Sequence, residues 1–221
     1  MVTTNQETKT APGEGSRRER RKEETRNLLL QTAMKLFARK GIFDTTVEEI
    51  TETADVGKGT FFNYFPSKEA ILEAMAERQL GHVQKAVEQA QGATSIRPIL
   101  RELFHSMSST GPARSQLMFR SLLGTALTNR MMLQLVQRIH LKARERVAMI
   151  LERGQQLGEV RRDREPMELA RLLQHVLFGT LTIWCIGQPS DIEEWLDKSL
   201  ELYFRGVAPE AASAEAARSA P

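Results

Sequence analysis

A single cysteine, Cys185, leaves this chain without the means to close an intrachain disulfide or to gather thiolates around zinc. That composition fits a reducing compartment, and a cytoplasmic location is expected. Long apolar runs are also missing: the longest, 176–186, is interrupted by Gly179, Thr180 and Thr182 and falls short of the roughly 20 residues of a membrane span. No membrane partner is expected. The opening MVTTNQETKTAPGEG has no apolar core and so lacks the form of a secretory signal. His105, His140 and His175 each sit alone on a separate segment, so no metal site and no cofactor are expected. Nucleophile–base motifs, paired carboxylates and phosphate loops are absent too; no catalytic residue is assigned and the chain is not read as an enzyme. Sustained alternation of apolar and polar residues, the mark of a sheet, is lacking from end to end, whereas helical periodicity is nearly continuous. The fold class is therefore all-α.

What is present begins with charge. A net +3 and a pI near 9.2 only weakly favour polyanions, but Arg17, Arg18, Arg20, Arg21, Lys22 and Arg26 crowd one short stretch. Residues 1–16 and 208–221 are rich in small, polar and proline residues and are expected to be disordered tails. A first helix is expected over about 22–40, with Leu29, Ala33, Leu36 and Phe37 on one face and Gly41 as a left-handed cap behind Arg39 and Lys40. Thr46 and Glu49 form a capping box for a short second helix. Asp55 makes the following turn, a third helix starts near Gly57, and Pro66 stops it. Two short helices joined by a tight turn behind a longer one have the outline of a helix-turn-helix unit.

Aromatics are scarce, yet four of them stand in five positions: Phe61, Phe62, Tyr64 and Phe65. Phe61 and Phe65 are four apart and share one side of the third helix, directed at Leu36, Phe37 and Ile50. Gly59, Thr60, Asn63 and Tyr64 fall on the other side, with Lys58 flanking it and Phe62 on its border. Such a face suits a DNA groove: glycine admits close approach, Thr and Asn reach base edges, and Tyr and Lys reach phosphates. Ser67 caps a fourth helix over 67–91 whose first turn carries Lys68, placed for another phosphate, and Thr46 is similarly poised.

The stretch GIFDTTVEEITETADVGKGTFFNYFPSKEAIL, residues 41–72, resembles the DNA-binding signature of the TetR/AcrR family of bacterial transcriptional regulators. The likeness is dense over about 22–75. It implies DNA contact by Thr46, Lys58, Gly59, Thr60, Phe62, Asn63, Tyr64 and Lys68, and a C-terminal domain for effector binding and dimerisation. Gly57, Asp55 and Phe62 stand where serine, glycine and tyrosine are common in that family. The division expected is 17–66 for the DNA-binding domain and 67–207 for the effector-binding and dimerisation bundle.

Three helices of about 45 residues are marginal alone. The fourth helix is expected to support them and to act as a lever, being less well anchored near Gly81. Further helices are expected over about 98–109, stopped by TGP, then 113–129, 131–157, 166–186 and 191–204, the last behind a Ser190–Glu193 capping box. Phe104, Met107, Met118, Phe119, Met131, Met132 and His140 are the candidates for a pocket holding a small apolar or amphipathic effector, although a Met or aromatic stripe is also ordinary core. The last two helices carry more apolar surface than one internal core consumes, and Leu173, Leu177, Leu181, Trp184, Trp195 and Tyr203 are assigned to a homodimer interface. Together these features lead to a homodimeric repressor, released from a palindromic double-stranded operator by its effector, with the basic cluster as a flexible arm on DNA. An architectural DNA binder, an activator and a helical-bundle enzyme are the alternatives.

Overall fold

The computed structural model describes residues 14–110, 113, 115–187 and 191–209. Nine helices and no strand occur among the described residues: α1 Glu14–Lys40, α2 Val47–Thr53, α3 Lys58–Tyr64, α4 Lys68–Gln91, α5 Arg97–Thr110, α6 Gln116–Thr128, α7 Arg130–Gln156, α8 Pro166–Ile186 and α9 Ile192–Val207. The tail at 210–221, residues 1–13, the Gly111–Pro112 end of TGP and the Ser190 cap lie outside the described residues. Asp191 is the N-cap of α9; its carboxylate accepts from the amides of Glu193 and Glu194.

The first helix starts at Glu14, well ahead of the start expected near residue 22 and of the apolar stripe that opens at Leu29. Arg17 to Lys22 are therefore helical and exposed, which corrects the flexible arm. This segment has no core face and carries local side-chain contacts: Arg20 meets Glu24 at 3.4 Å, and Thr25 donates back to the Arg21 carbonyl at 2.9 Å. At its far end Gly41 takes φ +87°, and its N–H closes the helix on the Phe37 carbonyl.

Local signals place α2 to α4. The Thr46 side chain accepts from the Glu49 amide while the Glu49 carboxylate accepts from the Thr46 amide at 2.9 Å, a complete capping box. Asp55 turns the chain at φ 53°. Gly57 is the N-cap of α3, and Phe65, extended ahead of Pro66, ends it. Ser67 caps α4.

Two hydrophobic cores result. One gathers Leu29, Phe37, Ile50, Phe61 and Phe65 from α1 to α3, but it is completed by Ile71, Leu72 and Met75 of α4, Met118 and Ala126 of α6 and Met132 of α7. The small N-terminal unit is thus closed by helices of the bundle, which is how its marginal core is enlarged. The second core joins α4, α5, α7, α8 and α9 around Ile96, Leu100, Ile150, Leu151 and Leu169. Val83, Ala86, Val87 and Ala90 anchor the distal half of α4 in it, so that half is firmly held, contrary to the loose lever read from the sequence.

Helix α8 is long and apolar enough, by length and composition, to cross a membrane; the apolar run counted from residue 176 leaves out its N-terminal part, from Pro166. In the fold it lies between α7 and α9, buries Leu169, Ala170, Leu173 and Cys185, and carries Glu168, Arg171 and His175 on its exposed side.

Candidate functional site

Phe61 and Phe65 are 0% and 2% exposed, with ring centroids 5.8 Å apart. Their burial holds the opposite side of α3 outward. Lys58, Gly59, Phe62 and Asn63 are exposed there and Thr60 is half-buried. Phe62 stands edge-on to Phe61 at 5.4 Å and remains 53% exposed, an apolar group placed to meet a thymine methyl or a sugar. Tyr64 is half-buried against the N-terminal core, so only part of its ring is available. Thr46 is exposed at the head of α2.

Charge around this face is already paired. Lys58 makes an ion pair with Glu48, and Lys40 with Glu49. The carboxyls of Glu48 and Glu49 are held below the usual range, first by the hydrogen bonds from Lys58 and Lys40 respectively. Lys58 and Glu48 are both more than half exposed, and ion pairs so open to water hold weakly, so a phosphate can displace Glu48 from Lys58 at little cost. Arg26 lies over the Phe65 ring with its guanidinium carbon 5.4 Å from the centroid, a contact between α1 and the end of α3 that sequence spacing does not reveal.

The Lys68 ammonium is engaged within the chain. It donates to three backbone carbonyls, Ile42 at 3.0 Å, Phe43 at 3.1 Å and Thr45 at 3.0 Å, in the loop between α1 and α2. All three hydrogens of the ammonium are thereby used. Lys68 thereby ties α4 to the loop that presents α2. Lys68→Met is expected to lower unfolding stability by about 2 kcal/mol, since bonds from a charged donor are lost and the loop carbonyls lose their partner. Urea titration checks this; unchanged stability with weakened DNA binding would favour the phosphate role.

The bundle holds a partly open cavity of about 240 Å³ bounded by α4, α5, α6, α7 and α8. Of the residues the sequence assigns to it, Phe104, Met107, Phe119, Met132 and His140 line it. Met118 does not: it is 1% exposed in the N-terminal core. Met131 does not either, being 80% exposed on α7. Helical position decides both, because each faces away from the cavity on its helix. His140 stands edge-on to Phe178 at 5.5 Å, and burial, with the nearby Arg144 charge second, lowers its pKa, leaving the ring neutral at pH 7. Arg144 and Gln174, absent from the sequence assignment, supply the polar part of the wall.

His105 and His175 join neither site. His105 contacts Asp197 of α9 at 2.9 Å, beside the Arg101–Asp197 pair, and His175 is exposed on α8.

Helix α6 touches both centres. Phe119, Leu122, Leu123 and Ala126 face the cavity. On another side the Ser121 hydroxyl accepts from the Ile42 amide at 2.8 Å, and Ser115 donates to the Ala38 carbonyl at 2.9 Å. These bonds fasten the end of α1 and the start of its loop to a cavity wall.

On α8 and α9 the outward apolar residues differ from those read in the sequence. Leu173 and Tyr203 are 1% and 8% exposed and pack inward; Tyr203 donates to the Leu169 carbonyl at 2.9 Å. Leu177 and Leu181 line the cavity. Trp184 is half-buried, and Gln116 donates to its carbonyl at 2.8 Å. Only Trp195 of the six is exposed, at 50%. The outward stripe is Leu172, Val176, Gly179, Ile183 and Ile186 of α8 with Trp195 and Leu202 of α9.

Residues 29–75 match the family model for bacterial regulatory proteins of the tetR family. Over 52 residues the chain is 50% identical to the HTH-type transcriptional regulator YuxN of Bacillus subtilis, a match covering 24% of this chain and only 18% of that one. It is 26% identical over 187 residues to the HTH-type transcriptional repressor DhaR of a Mycobacterium species, covering 83% of this chain and 92% of DhaR. Among solved structures it is similar to Thermus thermophilus FadR, a TetR-family transcriptional repressor in complex with lauroyl-CoA, at 28% identity and a TM-score of 0.57, covering 82% of this chain and 94% of that one.

Proposed function

Since the chain belongs to the TetR family of bacterial transcriptional regulators, we propose that it is a homodimeric repressor that binds a palindromic operator and releases it when a small apolar or amphipathic molecule fills the bundle cavity. The observation that carries this reading is the division of α3 into a swallowed side, Phe61, and an outward side of Lys58, Gly59, Phe62 and Asn63. Thr46, Thr60 and the exposed part of Tyr64 complete the DNA face; Lys68 serves it from behind.

The outward stripe of α8 and α9 is the proposed dimer face. Leu172, Val176, Gly179, Ile183 and Ile186 recur at alternating steps of four and three, the pattern of a helix seam, and Gly179 lets two such helices approach closely. A two-fold axis through it yields a four-helix interface. Two reading heads then address successive major grooves when about 34–36 Å apart, or a multiple of that distance. The helical Arg17 to Lys22 segment adds phosphate contacts with little sequence preference.

Release runs through α6. A ligand that presses on Phe119 and Leu122 displaces the helix whose Ser115 and Ser121 hold the end of α1. Coupling of about 1–3 kcal/mol changes operator affinity about 5- to 150-fold. FadR and DhaR, both repressors by name, support repression as the sign of the effect.

Selection of bound sites from random duplex DNA tests the proposal: an inverted repeat is expected, and sequence-independent capture would favour an architectural binder. Asn63→Ala is expected to relax preference at one base position per half-site, costing about 1–3 kcal/mol there. Uniform weakening on every duplex would assign Asn63 to the backbone instead.

A further inference from the structure

Among the described residues the cavity wall has a single charge. Apart from apolar side chains, its described lining consists of Gln79, His140, Arg144 and Gln174, with no carboxylate. Arg144 of α7 directs Nε and Nη2 at Gln174 Oε1, at 3.0 and 2.8 Å, and Gln174 passes its own amide hydrogen to the His140 carbonyl at 3.1 Å. The guanidinium has five N–H groups and, among the described residues, one acceptor atom, the neutral oxygen of Gln174. No ion pair to Arg144 occurs among the described residues, whereas Arg138 of the same helix is paired with Glu73. A half-buried guanidinium beside an apolar cavity, positioned by an amide but not neutralised, is costly to keep unless its countercharge arrives with a ligand.

We propose that the effector is an amphipathic organic anion: an apolar chain or ring system filling the space between Phe104, Phe119 and Phe178, ended by a carboxylate that pairs with the Arg144 guanidinium beside Gln174. The planar fork of arginine matches a carboxylate with two parallel hydrogen bonds. His140, neutral through burial, adds no second cation, and the absence of any acid from the described lining residues disfavours cationic amphiphiles. The inference rests on the cavity being the effector site of the regulator reading, and it adds the chemistry of the ligand.

The test is calorimetric titration of the full chain, without DNA, using three probes of equal tail: decanoate, decan-1-ol and decyltrimethylammonium. The chain is expected to bind decanoate about tenfold or more tighter than either of the others. Arg144→Gln is expected to bring decanoate to within about twofold of decan-1-ol while leaving decan-1-ol affinity unchanged, which also reports that the cavity is intact; Arg144→Lys is expected to keep part of the preference. Equal or weaker binding of decanoate by the unaltered chain, no binding of any probe, or a decanoate preference that survives Arg144→Gln overturns the proposal. Operator release is measured separately. Arg144-dependent decanoate binding that leaves the operator bound would keep the anion site and remove the release step from the regulator reading.

Discussion

Ile183→Asp is expected to convert a dimer into folded monomers and to weaken operator binding by about 10²- to 10⁴-fold, the factor by which joining two modest binding sites raises affinity. Ile183 is 67% exposed within its own chain, so the substitution removes almost no internal packing and the helical content should not change. At a two-fold interface, however, each altered residue lies close to its own copy, and two carboxylates are taken out of water together. Leu202, 68% exposed on α9, belongs to the same face and its aspartate variant should act likewise. Leu173→Asp is the internal control: Leu173 is 1% exposed, and its replacement should unfold the bundle rather than divide the dimer. Sedimentation separates these cases. A dimer that survives Ile183→Asp would move the interface off α8.

That a stripe one residue away from the assigned one is outward illustrates where sequence stops being informative. Helix α8 is apolar almost all round, so its periodicity has no phase; Leu172 and Leu173 are the same residue type, and only packing against α7 and α9 decides which is buried. The reading head was legible because its determinants are local. The Thr46–Glu49 box joins residues three apart, the Asp55 turn and Gly41 cap depend on single backbone conformations, and Phe61 and Phe65 are one turn apart. Contacts between distant segments left no such trace. Lys68 reaches carbonyls 23 to 26 residues earlier, Ser121 receives an amide 79 residues away, and Arg144 meets Gln174 across 30. Each residue type fits its site, yet nothing in the spacing pairs it with its partner. The early start of α1 was missed for a different reason: helices are read from apolar stripes, and residues 14–24 have none, carrying the exposed Arg20–Glu24 pair instead.

Phe61→Ala is expected to melt the reading head while leaving the bundle assembled. Phe61 is fully buried among Phe37, Ile50 and Phe65, and truncating such a ring costs about 3–5 kcal/mol through lost burial and the cavity left behind. The two seven-residue helices α2 and α3 contribute only Ile50 and Phe61 to this core, so they have little reserve against such a loss and cannot persist without that packing. The second core, around Ile150 and Leu151, contains none of these residues, so α5, α8 and α9 and the dimer should survive. Hydrogen exchange is expected to show lost amide protection in α2 and α3 with protection kept in α5, α8 and α9, and operator binding should disappear. Phe62→Ala supplies the contrast one position along: with its ring 53% exposed, stability should change by no more than about 0.5 kcal/mol while DNA binding weakens. The two variants differ only in which side of α3 loses a ring. If both unfolded the head, or if Phe61→Ala retained full operator affinity, the outward side of α3 would no longer be set by the burial of the inward one, and the DNA face would have to be sought on another helix.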